Sequence, residues 1–415
     1  GYTGEDGILI TDKDSYDRLN LSTFMGVDVN SWLTTQLDLK YANSKQNKVE
    51  AGGRNTVWVA AMNLPSYQNN EEYEENGIVY APESPATYIR YGDPRKIKRN
   101  DLRALGRIIL SPLKGLKITG EYTYNRTTEQ NKFYKNKYQY IGMNFTGILN
   151  STENSSYAVT SKYTDYNAVN LFANYDMTFG KHDISVMGGY NQESSHTESQ
   201  YSYRTDVVVG SLPSLSLSTG TPITNDAFEE FAIRGLFYRV NYSYAGKYLL
   251  EANGRYDGTS RFPKNSRFGF FPSFSAGWRI SEEGFMRETN EWLSNLKLRA
   301  SWGSIGNQVI LKSDNTPDNY PYIPDMNVYL SNWLVDGQKI TTLGAPAMVS
   351  SNFGWEKVYT LDFGFDLDLF NNRLNTTFDW YRRDTKGMLA PGMELPGVVG
   401  ASAAKQNAAD LKTYG

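Results

Sequence analysis

The sequence predicts an all-β fold, an antiparallel transmembrane β-barrel, of which about twelve strands are readable. Three observations predict it. Period-two alternation of apolar and polar residues recurs along the 415 residues. The alternating runs come in pairs joined by very short turns, while long polar connections separate one pair from the next. Finally, the composition couples 14% aromatics, with 31 Tyr, 19 Phe and 8 Trp, to a mean hydropathy of −0.54. That combination suits a protein whose apolar surface is a thin outer band and whose interior is wet.

The first hairpin is read at 18–28 and 31–43. Leu19, Leu21, Met25 and Val27 alternate with Asn20, Ser22 and Asp28, and Leu33, Leu37, Leu39 and Tyr41 alternate with Thr34, Gln36, Asp38 and Lys40. The next pairs are 101–111/116–127 and 166–179/183–193. In 166–179, Val169, Leu171, Ala173, Tyr175, Met177 and Phe179 fall in one phase and Asn170, Asn174 and Asp176 in the other. Further hairpins follow at 230–244/247–258, at 267–281/295–303 through a short helical connector (282–294), and at 355–370/373–385 through Asn371-Asn372.

Between the hairpins, 44–100, 129–165, 194–229 and 304–354 read as long polar loops rich in Tyr, Asn, Ser, Gly and Pro. A compact soluble domain rarely carries several loops of this length. A membrane barrel does, with short turns on the periplasmic side and long loops outside. Aromatics fall where two membrane-interface belts are expected in contact with outer-membrane lipid. Phe179, Tyr244 and Tyr248 stand beside the short turns, and Tyr124, Tyr190, Tyr256 and Trp380 stand at the far ends in the same side-chain phase.

Several function classes are excluded. A net charge of −3 gives no basic field for nucleic acid. Without Cys there is no disulfide, thiolate metal site or thiol nucleophile. Two His, His182 and His196, leave little for metal or acid–base clusters, and no cofactor is expected. No apolar run reaches the ~18 residues of a transmembrane helix, and no signal peptide opens the chain.

Over 228–308 several motifs occur in order: Phe228-Glu229-Glu230-Phe231, Tyr248–Phe262 (YLLEANGRYDGTSRF), Phe271–Ile280 (FPSFSAGWRI), Trp292–Gly303 (WLSNLKLRASWG) and Gly306-Asn307-Gln308. Through these motifs the chain resembles the barrel of SusC/RagA-type TonB-linked outer-membrane transporters. Weaker similarity extends from Gly1-Tyr2 through Trp355-Glu356 to Leu395–Gly400 and Asn407. The resemblance implies a barrel of about 22 strands, preceded by a plug domain and TonB box that are not found here. Residues 1–415 are therefore expected to be a partial barrel, with the next strand expected to start near Gly415. It also implies residence in the outer membrane of a Gram-negative bacterium, energy-coupled uptake of a glycan or, less so, a peptide, and two partners, a SusD-like lipoprotein and the TonB complex.

The candidate substrate contacts are Arg255 and Asp257 in the inward phase of their strand, Arg261 in the turn beyond, and the loop aromatics Tyr320, Tyr322 and Trp333. For Arg255–Arg261 the plainer reading is a turn held by local ion pairs and Gly258; for the aromatics it is packing within the loop. Asp362, Asp366 and Asp368 share one phase and invite a glycosidase reading, but solvated residues of a barrel interior account for them more simply, and no enzyme is expected. Glu71–Glu75 reads as a solvated acidic run. The rival from another class is a secreted all-β glycan-binding or glycan-cleaving domain, whose apolar faces would converge on a dry core.

Overall fold

The computed structural model describes residues 1–9, 11–49, 57–63, 72–75, 78–141, 147–289, 291–312, 315–350, 353–390, 392, 395–396, 398 and 403–415. Glu71 of the acidic run, and Gly397, Val399 and Gly400, lie outside the described residues. In chain order the elements are β1 (Tyr2–Asp6), β2 (Ser15–Asn30), β3 (Leu33–Val49), α1 (Val57–Asn63), β4 (Tyr73–Glu75), β5 (Ile78–Pro82), α2 (Pro85–Tyr91), β6 (Pro94–Leu113) and β7 (Leu116–Lys135). There follow β8 (Gln139–Ile141), β9 (Ile148–Asn150), β10 (Ser156–Phe179), β11 (His182–Thr205), β12 (Ile223–Tyr244), β13 (Tyr248–Thr259) and β14 (Phe268–Arg279). Two short 3-10 turns (Ile280–Glu282, Gly284–Thr289) lead to β15 (Leu293–Asn307), β16 (Val328–Val335), β17 (Gln338–Leu343), β18 (Glu356–Leu369), β19 (Leu374–Ala390) and β20 (Gln406–Tyr414).

Fourteen strands form one antiparallel sheet in the order β1-β2-β3-β6-β7-β10-β11-β12-β13-β14-β15-β18-β19-β20. All twelve expected strands are in it, and β1 and β20 are added. The strand expected to start near Gly415 instead occupies Gln406–Tyr414, paired with β19.

Residues opposite one another on neighbouring strands share a face. One row reads Leu171, Tyr190, Leu236, Tyr256, Phe270. Nearer the turns, another reads Tyr175, Val186, Val240, Ala252, Phe274, Trp302, Leu361, and a third reads Met177, Ile184, Tyr242, Leu250, Ala276, Ala300, Phe363, Trp380. These apolar side chains point away from the polar face, and Leu171, Leu236 and Leu250 are all more than half exposed. An apolar face turned outward from the sheet sinks the dry-core alternative. No helix among the described residues is long and apolar enough to cross a membrane; the strands are what cross.

The lower edge of this band is a ring-lined row of Phe179, His182, Tyr244, Tyr248 and Trp278. Successive ring centroids in it lie 4.9, 4.8, 6.3 and 6.4 Å apart. At the upper edge the outward phase turns polar or charged just beyond an aromatic or Leu: Tyr124 precedes Arg126, Tyr190 precedes Gln192, Leu236 follows Arg234 on a strand that runs downward, and Trp380 precedes Arg382. From Tyr248 to Tyr256, His182 to Tyr190 and Leu116 to Tyr124 the band measures about nine residues, the length a tilted strand needs to cross hydrocarbon.

Tyr124 and Trp380 do not share a row with Tyr190 and Tyr256. Tyr124 faces Asn167, whereas the row of Trp380 passes through Met177, about ten residues lower on β10. The short turns descend alike: Leu33 lies in the row of Ala173, and Leu374 faces Leu369, four residues past the row of Phe179. A drift of roughly one residue per strand, at ~3.3 Å rise and ~4.8 Å spacing, is a strand tilt of about 35–40°. The scattered aromatics are level once the tilt is counted.

Above the band the strands continue far beyond their expected ends. β10 and β11 are 24 residues each, so much of the expected loops 129–165 and 194–229 is strand. The remaining loops are partly ordered. Val49, Val57 and Tyr88 pack beside Leu9, Ile89 and Tyr138, β4, β5, β8 and β9 form a small sheet, and β16 and β17 make a hairpin through Asp336 (φ 52) and Gly337 (φ 77). That pair has the two positive φ values a type I′ turn requires. At one wall position close packing demands glycine: a Cβ on Gly189 would lie 2.5 Å from Phe237 and 2.6 Å from Phe172.

The band predicts a depth-dependent response. Val240→Arg, in mid-band opposite Ala252, is expected to destabilise the whole protein in lipid vesicles by about 2–4 kcal/mol, and Tyr256→Arg at the edge by no more than about 1. Urea unfolding read by tryptophan fluorescence checks the difference.

Candidate functional site: the polar inner face and its rim

The opposite face of the sheet is a hydrogen-bonded polar wall. Gln36, Arg107, Glu121, Asn170, Asn191, Gly235 and Asp257 are successive members of one cross-strand row. Arg107 donates to Glu121 Oε1 (2.6 Å) and to Gln36 Oε1 (2.9 Å). Asn170 Nδ2 donates to Glu121 Oε2 (3.2 Å), and Asn191 Nδ2 to Asn170 Oδ1 (2.7 Å). The ladder reaches Asp257 across Gly235, whose missing side chain leaves the space that Asp257 Oδ1 fills, 1.9 Å from where a Cβ would be.

Arg255 and Asp257 form a two-pronged pair, Nε to Oδ2 at 2.9 Å and Nη2 to Oδ1 at 2.8 Å, with the guanidinium 5.5 Å from the Phe237 ring centroid. Lower on the wall Arg299 binds Asp366 through two 3.0 Å contacts and Asp379 at 2.9 Å. Asp368 accepts from Asn295 (3.1 Å), and Asp362 lines a trough of about 640 Å³ with Glu251, Lys297 and Arg299. Of these three carboxylates Asp366 is held by an arginine and Asp368 by an amide, as members of a hydrogen-bonded wall. Among the described residues no group of three or more His, Asp or Glu is arranged to hold a metal ion.

At the rim Arg261 is buried. Its Nε donates to Asn319 Oδ1 (2.9 Å), its guanidinium lies 4.5 Å from the Phe231 ring centroid, and burial pulls its pKa below the ordinary arginine value. Tyr320 Oη accepts from the backbone N–H of Glu230 (2.8 Å). Phe262, Ile310 and Phe353 pack beneath, against Trp355 and Leu389. Thus Arg261 and Tyr320 converge on one rim cluster, while Trp333 is 57% exposed on β16 and stands apart from it. Tyr322 is half-buried in the same loop. Sequence reasoning missed Glu121, Arg107, Asn319 and Phe231. The first two carried a signal, since both fall in the inward phase, but their row-mates become visible only with the register.

Higher on the outward face, beyond the apolar band, His196 sits between two carboxylates: Nε2 to Glu198 at 2.7 Å and Nδ1 to Glu230 at 2.6 Å. Glu198 also accepts from Tyr163 Oη. The hydrogen bonds to Glu198 and Glu230 raise the His196 pKa, and those from Tyr163 and His196 lower that of Glu198.

Two predictions follow from these contacts. Glu121→Ala leaves Arg107 and Asn170 without their shared acceptor and is expected to cost about 1–3 kcal/mol, most of it recovered by Glu121→Gln, in vesicle unfolding. For His196, a raised folded-state pKa means a contribution fully present below pH ~6.5 that fades as pH rises through the raised value; the lowered Glu198 pKa adds a contribution lost under acid conditions. Amide protection factors at the upper ends of β11 and β12, taken relative to the intrinsic exchange rate at each pH, should therefore fall between pH 6 and pH 9 in the wild type, and change little in His196→Gln.

Comparison with known proteins bears on this wall and its rim. Residues 31–415 match the family described as TonB dependent receptor-like, beta-barrel. TonB-dependent receptor P3 of Formosa agariphila is 32% identical over 247 residues, which is 59% of this chain and 24% of the relative. TonB-dependent receptor SusC of Bacteroides thetaiotaomicron is 26% identical, covering 100% of this chain and 42% of its own length. The chain thus spans less than half the length of these relatives. The RagAB peptide importer in its closed-closed state matches with a TM-score of 0.79 at 20% identity, over 97% of this chain and 43% of that one. The ferric citrate transporter FecA matches at 0.53 and 12% identity, over 96% of this chain and 48% of that one, and both likenesses are of fold. The outward apolar band is the part that lies in the outer membrane of a Gram-negative bacterium. The chain belongs to the TonB-dependent receptor-like β-barrel family and, within it, is of the SusC/RagA type.

Proposed function

We propose that this wall lines the pathway by which a TonB-dependent transporter takes up a nutrient captured at the cell surface, a glycan rather than a peptide. The observation that carries the reading is the two-faced sheet: lipid-facing rows outside, and inside a row of hydrogen-bonding groups from Gln36 to Asp257, broken at Gly235. A hydroxyl-rich, uncharged solute exchanges hydrogen bonds with such amide and carboxylate groups without surrendering a charge to a dry site. The exposed rings of Trp333 and Tyr329 on the loop hairpin offer flat apolar faces to sugar rings. Glu121, Asp257 and Asp366 of the inner wall are themselves held by Arg107, Arg255 and Arg299, which lessens what these three carboxylates offer to a peptide's charged amino terminus.

The partners of this reading are a SusD-like lipoprotein closing over the long loops and the TonB complex acting through parts of the protein outside this chain. Peptide uptake is the second reading, favoured by the fold likeness to the RagAB peptide importer.

Deleting the gene in its own host and supplying fluorescent oligosaccharides or fluorescent oligopeptides separates the two. Accumulation of an oligosaccharide class is expected to fall to background while peptide accumulation is unchanged, and Trp333→Ala in the restored gene should lower oligosaccharide uptake severalfold. Loss of peptide uptake alone would establish the second reading. Unchanged uptake of both would end the transport reading.

A further inference from the structure

On one side β12 outreaches its neighbour. It has 22 residues and β13 has 12, so their pairing stops at Ile233 opposite Thr259, whereas the other side of β12 stays laddered to β11 up to Ile223 opposite Tyr203. In an antiparallel ladder alternate residues turn both N–H and C=O to the same neighbour. On β12 the even-numbered residues turn theirs to the β13 side. Ala232 exchanges two 2.9 Å bonds there with Ser260, and the Glu230 N–H donates to Tyr320 Oη at 2.8 Å. Above Tyr320 these replacements for a strand end. Among the described residues no group meets the N–H and C=O that Thr224, Asp226 and Phe228 turn to this side.

This stretch is a free strand edge, a template for pairing with another chain, and the common ways of blunting one are missing from it. Residues 223–232 contain no Pro and no Lys, and their register with β11 runs without a bulge. All six residues from Ile223 to Phe228 are exposed, Phe228 at 66%. The edge also carries a chemical preference. Phe228 and Asp226 are neighbours in the outward phase. Around them Glu230 and Glu198 are taken up by His196, and Glu229 by Lys312 (3.2 Å), while Asp226, opposite Gln200, makes no ion pair among the described residues. A strand laid along the edge meets an exposed ring at one position and, two residues on and on the same face, an unpaired carboxylate.

Position and charge name the occupant. Phe228 lies eight residues above Leu236, where the apolar band ends on β12. At the strand tilt that height is on the order of 20 Å, well clear of hydrocarbon. Only a polypeptide repeats N–H and C=O at the spacing of a strand edge. A second copy of this chain fits poorly, because pairing edge to edge sets Asp226, Glu229 and Glu230 against their own counterparts, and like charges facing one another on a sheet repel. A segment of a different protein, with a basic residue to meet Asp226, has no such conflict.

We propose that the upper edge of β12, from Thr224 to Phe228, docks an extended segment of a partner protein as an added antiparallel strand, with a basic side chain opposite Asp226 and an apolar one opposite Phe228. The main-chain bonds hold the segment, and the two side chains fix its register. The inference goes beyond the transport reading and is independent of what the protein transports.

The test uses the whole protein in lipid nanodiscs and a fluorescent peptide, Thr-Thr-Val-Thr-Arg-Thr-Val, whose binding is read by anisotropy. Laid antiparallel on the edge, it sets its first Val opposite Phe228 and its Arg opposite Asp226. The backbone N–H of that Arg then points to the edge, and the N–H of the Thr before it points away. Methylating the Arg backbone nitrogen is expected to weaken binding at least about tenfold, and methylating that Thr nitrogen to leave it within about twofold. Both measurements use the wild-type protein and hold even if a variant does not fold. Asp226→Lys should weaken the peptide about tenfold and come to prefer the same peptide with Glu in place of Arg. Equal binding of the two methylated peptides, an affinity unmoved by Asp226→Lys, or no saturable binding of the parent peptide would overturn the proposal. So would self-association of the protein that the peptide disperses, which would assign the edge to a second copy, or accumulation of the peptide inside the host, which would assign it to a transported solute.

Discussion

The structure depends on a single constraint, the need to satisfy every backbone N–H and C=O inside hydrocarbon. No water is present there to take up an unmade bond, so each strand must be laddered to a neighbour on both sides through the full depth of the bilayer. The antiparallel ladder from β2 to β19 meets this through most of the band. β14 and β15 pair from Arg279 opposite Lys297 up to Ser273 opposite Gly303, just below Pro272, which has no N–H to offer. Other irregularities fall near turns or at the far ends, between Leu110 and Leu113 or Thr385 and Met388. Once the backbone is committed to the ladder, alternate side chains face opposite solvents. The apolar rows and the Arg107–Glu121 ladder are thus two outcomes of one backbone geometry.

That constraint also explains what could be read without coordinates. Inside the band the two faces differ in solvent, so Leu171, Tyr190 and Leu236 on one side of Asn170, Asn191 and Gly235 print a period-two signal. Turns are legible for local reasons: Gly180 and Gly246 have positive φ, and Asn371 and Asn372 adopt the same left-handed region at φ 56 and 63. Above the band both faces are wet. The ladder of β10 and β11 continues to Ser156 and Thr205, but Ser, Thr, Gln and Lys on both faces leave no contrast, and those residues looked like loop.

The site was legible in the same measure. Arg255 and Asp257 were placed in the inward phase by alternation, and their pairing followed from two-residue spacing on one face. Glu121 and Arg107 belong to different hairpin strands whose register is set by the whole sheet, so their contact with Asn170 and Gln36 was out of reach. Arg261 meets Asn319 across nearly sixty residues of chain, and a contact of that span is decided by how the loops fold onto the rim, for which local pattern carries no information.

The tilt has a geometric corollary for the inner wall. If strands lean by about 35–40°, a row of cross-strand partners leans by the same angle from the membrane plane. Gln36 lies three residues from its turn at Leu33, and Asp257 nine residues from its own at Tyr248. The polar ladder is therefore a ramp, climbing from near the inner mouth toward the outer rim as it winds around the wall. A solute handed from Asp257 to Gln36 would descend in shallow steps and turn as it went, as along the thread of a screw.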